Sequence, residues 1–207
     1  DPWPTWTYDC HGTVVRREVF CVHDRDLVVI RWSLAGKTRK AIALRVRPMV
    51  SGRDYHATHH MNDSLCTTAT AADGLVSWRP YRGLPPVQAF QNGKYRHDST
   101  WFRAVQFPVE QQRGLDFEED WWSPGEFTYQ LDRGVAATLV LTTESINSVD
   151  VAALTEGEQK RRMGLRAAAP STDSLAGKLW CAAEAYLSAR GSQQTVIAGY
   201  PWFTDWG

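Results

Sequence analysis

From Thr13 to about Thr142 apolar residues recur at every second position, and no other feature constrains the fold of this chain so tightly. Successive side chains of an extended strand point to opposite faces, so a period of two lets one face enter a core while the other meets water. Val28, Ile30, Trp32 and Leu34 alternate with Arg31 and Ser33, and Ile42, Leu44 and Val46 alternate with Arg45 and Arg47. Further strands are predicted over residues 14–22, 75–78, 101–107, 126–131 and 135–141. The turn signals Asp73-Gly74, Asn92-Gly93 and Asp132-Arg133-Gly134 separate them. Many short strands with hardly a helix between them imply an antiparallel β-sandwich rather than a parallel sheet.

The period changes after about residue 150. Residues 151–165 carry Glu156, Glu158, Lys160, Arg161 and Arg162, which suits a solvated helix or a linker with helical tendency. A firmer helix is predicted from about 173 to 190. Thr172 or Asp173 can cap it, Leu175, Leu179, Ala182, Ala183, Tyr186 and Leu187 recur at steps of three and four, and Gly191 stands where a left-handed terminator belongs. One apolar stripe needs partners, so this helix is expected to open an all-helical domain whose remainder lies beyond the chain. A chain that starts at Asp1 without Met and stops at Trp206-Gly207 reads as cut at both ends.

The 207 residues, 43% of them hydrophobic, have room for one full core and at most a small second one. Lys+Arg and Asp+Glu number 23 each, leaving no positive surplus for a phosphate backbone or an anionic membrane, so neither nucleic acid nor membrane is an expected partner. The longest apolar runs, 27–30 and 135–141, fall short of the ~20 residues of a membrane span, and no signal peptide opens the chain, which predicts a soluble, cytoplasmic protein. Cys10, Cys21, Cys66 and Cys181 lack the spacing of a zinc site. They read as reduced, buried thiols, with a Cys10–Cys21 bridge or a metal site as the alternatives.

Three groups could carry chemistry. His56, His59 and His60 have offsets that metal ligands sometimes use, but no HExxH-type frame, and the surrounding strands place them in a loop; no metal is expected. Asp116, Glu118, Glu119 and Asp120 resemble paired carboxylates, yet charged turns before an aromatic pair such as Trp121-Trp122 are usually solvated. The third group, residues 198–207, sets Tyr200, Trp202, Phe203, Trp206 and Asp205 in a loop dictated by Gly199 and Pro201. Aromatic faces stack on the C–H face of a pyranose and a carboxylate accepts from its hydroxyls. The same residues could equally pack a helix-to-loop junction.

Gly199-Tyr200-Pro201-Trp202-Phe203-Thr204-Asp205-Trp206-Gly207 resembles the start of the G-Y-P-W-F-x-D-W-G-R-D-T motif of bacterial and archaeal glycogen debranching enzymes of the amylo-α-1,6-glucosidase type. Arg45-Val46-Arg47-Pro48, followed by Arg53-Asp54-Tyr55-His56-Ala57-Thr58 and Asn62, is similar to the L-R-P and R-D-Y-H pattern of that family's N-terminal β domain. The segment from Arg113-Gly114-Leu115-Asp116 to Ser123-Pro124-Gly125 is similar to its R-G-L-D…S-P-G stretch. The Arg-Asp-Thr that should follow Gly207 is absent.

The resemblance implies a supersandwich-like β domain over 1–145, a linker with a helical segment over 146–170, and the start of a truncated (α/α)6 catalytic barrel over 171–207. It implies an inverting glycosidase acting on α-1,6 branch points of glycogen without metal or organic cofactor, its two carboxyl groups lying beyond residue 207. In that frame Asp205, with Tyr200, Trp202 and Trp206, would hold the terminal glucose. Arg53, Asp54, Tyr55 and His56 would form an ion-paired corner that docks sandwich to barrel, or else touch the glucan. A free-standing β-sandwich that binds glucan, or one that merely buttresses a barrel, is the alternative function.

Overall fold

The computed structural model describes residues 3–36, 41–54, 57–170 and 175–197. The chain divides into two compact units, Trp3–Val151 and Ala152–Gly207. The first contains β1 (Thr5–Cys10), β2 (Thr13–Cys21), β3 (Leu27–Ala35), β4 (Ile42–Val46), β5 (Ala69–Ala72), β6 (Leu75–Trp78), β7 (Val87–Gln91), β8 (Lys94–Gln106), α1 (Pro108–Gln112), β9 (Glu118–Leu131) and β10 (Ala137–Thr142).

These strands form two antiparallel sheets, one of seven strands ordered β1-β2-β3-β10-β7-β6-β5 and one of three ordered β4-β9-β8. Trp32, Val76, Trp78, Ala89 and Leu139 of the larger sheet share one core with Trp122, Phe127, Tyr129 and Leu131 of the smaller. The result is a mainly β unit of the expected antiparallel kind.

One face per strand is too simple, however. Val29 and Val140 are fully buried although they lie opposite in phase to Trp32 and Leu139 of the core. β3 and β10 are adjacent in the middle of the seven-stranded sheet, and Trp3, stacked on Phe20 at 4.4 Å, roofs part of their outer face. Strands buried on both faces read as near-continuous apolar runs, which is what Leu27–Ile30 and Leu139–Leu141 are.

Two of the three turn signals are not hairpins. Asp73-Gly74 closes β5 on β6, but Asn92-Gly93 and Asp132-Arg133-Gly134 each carry the chain from one sheet to the other. Asn92 fits that corner because its amide donates to Ala136 O and accepts from Thr138 N–H, both at 2.8 Å, tying the turn to β10. A Cβ on Gly93 would stand 2.6 Å from the Tyr129 ring, so the corner admits only glycine.

β8 and β9 pair out of step twice, with one extra β8 residue between His97 and Thr100 and another between Phe102 and Val105. The inward face of β9 changes phase as well: Trp122 and Phe127 both enter the core although five positions separate them. The switch runs through Ser123-Pro124-Gly125, where a Cβ on Gly125 would collide with the Arg96 carbonyl oxygen. Arg113-Gly114 ends α1. Gly114 N–H donates to Gln111 O and Leu115 N–H to Glu110 O, the paired bonds that close a helix at a left-handed glycine, here with φ +71°.

Two buried polar atoms in this core, Tyr129 Oη and Trp78 Nε1, have no hydrogen-bond partner. Burial pushes the Tyr129 phenol far above its ordinary pKa. Tyr129→Phe removes an unpaired hydroxyl while keeping the ring, and is expected to raise stability by about 1 kcal/mol. Urea unfolding checks it, and a loss of stability would mean that the hydroxyl has a partner.

The second unit holds α2 (Val151–Ala168, whose first residue lies in the first unit), α3 (Leu175–Ala183), a 3-10 turn over Glu184–Tyr186, and a hairpin of β11 (Leu187–Arg190) and β12 (Gln193–Val196). The helix predicted to reach residue 190 therefore stops at Ala183. Gly191, φ +62°, is the first of two loop residues in the hairpin and not a helix terminator. Leu175, Leu179 and Trp180 are exposed. The proposed caps Thr172 and Asp173 lie outside the described residues.

α2 is not merely solvated either. Glu158 is buried, and its carboxylate accepts from Arg161 at 2.8 and 3.0 Å and from Arg162 at 2.6 Å. Burial alone would raise the Glu158 pKa, but the two guanidinium groups outweigh it and hold the carboxyl below its usual range. Arg161 also pairs with Glu184. No described helix is long and apolar enough to cross a membrane. The cysteines are free, but Cys10, Cys21 and Cys66 are exposed rather than buried.

Candidate functional site

The segment after β4 runs beside the first half of β9. Val50 exchanges backbone hydrogen bonds with Trp122 at 2.7 and 3.1 Å, and Asp120 N–H donates to His59 O at 2.6 Å. This course lays Arg53 against Glu119, so two sequence motifs separated by 66 residues meet.

Glu119 is 1% exposed. Its Oε2 accepts from Arg53 Nε at 2.5 Å and from His59 N–H at 3.1 Å, and its Oε1 accepts from Trp121 Nε1 at 2.7 Å and Arg53 Nη2 at 3.2 Å. Burial is the largest influence and raises the pKa, yet these donors together outweigh it and hold Glu119 below the ordinary carboxylate range. A carboxylate so saturated is a fixed acceptor and not a proton donor.

Asp120 faces the other way. Its Oδ2 accepts from Met61 N–H at 2.8 Å and its Oδ1 from Ala104 N–H at 2.9 Å. Ala104 lies in the second bulge of β8 with φ +56°, a left-handed conformation costing roughly 1–2 kcal/mol for a residue with a Cβ. The two N–H donors hold the Asp120 carboxyl below its usual range. The first bulge is held similarly: Arg47 Nη2 donates to Asp98 Oδ2 at 2.5 Å and Nη1 to Asp98 O at 3.1 Å.

His59 is fixed from both sides of its ring. Nδ1 lies 3.0 Å from Asp120 O, which can only accept, so Nδ1 carries the proton and Nε2 accepts from Tyr81 Oη at 2.6 Å. Asn62 Nδ2 in turn donates to Tyr81 Oη at 2.9 Å. The Tyr81 ring leaves no room for a Cβ on Gly52. Trp101 stands 5.4 Å from the imidazole.

The structure thus brings Arg53 together with the acidic segment and leaves Asp54 exposed, its carbonyl accepting from Ala57 N–H at 3.0 Å. Tyr55 and His56 lie outside the described residues, as do Tyr200, Trp202, Asp205 and Trp206. The expectation for the acidic cluster does not hold at Glu119, which is buried and ion-paired where a solvated turn was expected, because it lies in β9 on the face opposite Trp122 and the 50–62 segment, with Arg53 and His59, covers it. His59 and His60 are not on a helix, and both ring nitrogens of His59 are engaged. Among the described residues no group of three potential ligands could hold a metal. Tyr81 and Trp101 carry no local signal in the sequence, since only the long-range pairing of the 50–62 segment with β9 brings them to His59.

A two-sheet antiparallel β domain with its long β8–β9 ribbon pinned by arginine and carboxylate pairs is the class of protein that this geometry defines. The chain matches the family model of the glycogen debranching enzyme N-terminal domain over residues 1–138, and it belongs to that family. The comparison with curated proteins finds no match.

Proposed function

We infer that this chain is the N-terminal part of an enzyme that hydrolyses α-1,6-glucosidic branch points of glycogen in the cytoplasm. The observation that carries the reading is the family match over residues 1–138. In this reading residues 1–145 are the β domain, 146–170 the linker, and 171–207 the start of an (α/α)6 barrel whose first helix is α3. The reaction is an inverting hydrolysis by two carboxyl groups, one giving its proton to the leaving oxygen and one activating water, both contributed beyond residue 207. No metal or organic cofactor takes part.

The β domain's own contribution is rigidity and docking. Arg53 and its neighbours Asp54, Tyr55 and His56 form the corner that meets the barrel. Support comes from the Arg53–Glu119 pair, which fixes that corner against the sandwich. Glu119 does no acid–base work, because all its acceptor positions are filled.

Asp205 binds glucose hydroxyls, and Tyr200, Trp202 and Trp206 stack on the sugar. Charge-assisted hydrogen bonds that tighten as the ring flattens make Asp205→Asn lower kcat/KM by ~1.5 to 3 kcal/mol, roughly 10- to 150-fold, in the enzyme carrying its barrel. Glucose release from branched limit dextrin measures it. Unchanged turnover would return the loop to a packing role, and glucose release by the 207-residue chain alone would overturn the placement of the catalytic pair.

A further inference from the structure

The two sheets differ in width. At about 4.8 Å per strand the seven-stranded sheet spans about 29 Å between its edge strands and the three-stranded sheet about 10 Å, so the smaller can cover only the middle of the larger. The inner face of edge strand β1 is left over, and what it carries is not typical of a margin. Trp6 and Tyr8 stand two positions apart on that face, about 7 Å from each other along the strand, and are 41% and 40% exposed. The register sets Arg17 of β2 directly opposite Trp6 and beside Trp32 of the core.

The Arg17 guanidinium lies over both outer rings, 4.3 Å from the Trp6 centroid and 5.6 Å from that of Tyr8. It makes no ion pair with a described residue, and its buried Nε has no hydrogen-bond partner. A half-buried cation is thus held by ring faces alone. The aromatic pair fixes its position and leaves its donors uncommitted.

We propose that Trp6, Tyr8 and Arg17 form a glucan-binding platform on the β domain, separate from the Arg53–Glu119 corner. Flat, exposed rings offer stacking for the C–H faces of successive glucose units, and the guanidinium offers planar donors to their hydroxyls. The arrangement suits a neutral chain of linked sugars better than a small anion, which would need donors but not two rings. The choice of an α-glucan as the occupant rests on the family reading above. Such a platform would hold the polymer near the enzyme between cleavage events, adding effective concentration without touching the scissile bond.

The test is native-gel retardation of the 207-residue chain by glycogen, with dextran sulfate as the anionic control. The wild-type chain is expected to be retarded by glycogen, with Trp6→Ala, Tyr8→Ala and Arg17→Gln each weakening binding roughly tenfold or more. Trp6→Phe, which keeps a ring, should stay within about threefold of wild type, and Thr7→Ala on the opposite face of β1 should change nothing. If Trp6→Ala fails to fold, the Trp6→Phe and Arg17→Gln pair decides. No retardation of the wild-type chain, equal retardation of Arg17→Gln, equal loss in Thr7→Ala, or retardation by dextran sulfate alone overturns the platform. None of these outcomes touches the proposed hydrolysis of branch points, which stands or falls on glucose release by the enzyme carrying its barrel.

Discussion

Arg53→Met is expected to destabilise the β domain by about 3 kcal/mol at neutral pH, one of the two largest effects of any single change considered. The cost comes from what remains, a Glu119 carboxylate buried to 1% exposure without its guanidinium. The figure sits at the low end for a broken buried pair because the Arg53 side chain is itself 26% exposed, and water can approach from that side. The dependence on pH separates this cause from simple loss of packing. In the wild type Glu119 has a depressed pKa, so its contribution is complete above the unfolded value of about 4.3 and is lost as pH falls through the folded value. Without Arg53, two of the influences that lower the Glu119 pKa are gone while burial still raises it, so the folded pKa rises relative to that of the wild type. The deficit of the variant should then be largest at neutral pH and shrink on acidification, once Glu119 takes up a proton. Glu119→Gln in the Arg53→Met background should recover part of the loss at pH 7 and flatten the pH dependence. Urea midpoints of the three proteins between pH 4 and 8 measure this; a deficit independent of pH would mean that Glu119 is not the charged partner.

This pair also marks where sequence reasoning reached its limit. Alternation gave β2, β3, β4 and β6 with bounds within a residue or two, because each is locally periodic. It could not reveal that Trp3 stacks on Phe20 over the outer face of β3, where Val29, paired with Phe20, is buried on the face expected to be wet. Nor could it tell a hairpin turn from a corner between sheets, since Asn92-Gly93 and Asp73-Gly74 look alike along the chain and differ only in where the next strand pairs. The helix expected to reach residue 190 ends at Ala183 for a related reason. Ala182, Ala183, Tyr186 and Leu187 keep a helical spacing, but Leu187 to Val196 closes as a hairpin around Gly191, and both local patterns suit the same residues. At the corner, Arg53 was legible as a charged member of a motif and Glu119 as part of an acidic run. Their pairing was not, because it depends on β9 starting at Glu118 and on the 50–62 segment lying along it. His59 stood out only as a possible ligand, and its actual place between Asp120 O and Tyr81 is a product of tertiary structure.

Neighbouring tryptophans should behave very differently. Trp122 is fully buried and supplies the β9 contribution to the core before the phase switch at Ser123-Pro124-Gly125, while Phe127, Tyr129 and Leu131 supply it after. Trp122→Ala removes that single inward ring, and nothing adjacent can replace it: Pro124 is in phase but rigid, and Trp121 points to the other side, with its Nε1 donating to Glu119 and its ring 6.0 Å from Phe107. The cavity should therefore stay open, and the expected cost is about 3–5 kcal/mol. The lost hydrogen bond from Trp122 Nε1 to Ser99 Oγ, 2.9 Å, adds little because Ser99 is exposed and water can serve it. Trp121→Ala, at a half-buried position, should cost less than half as much and act through Glu119, which loses one of its donors. The two variants are told apart by pH as well as by size. The deficit of Trp122→Ala should be constant from pH 4 to 8, whereas that of Trp121→Ala should shrink toward acid, in the same sense as Arg53→Met. Equal, pH-independent losses at both positions would mean that the phase of β9 does not change at Ser123-Pro124-Gly125.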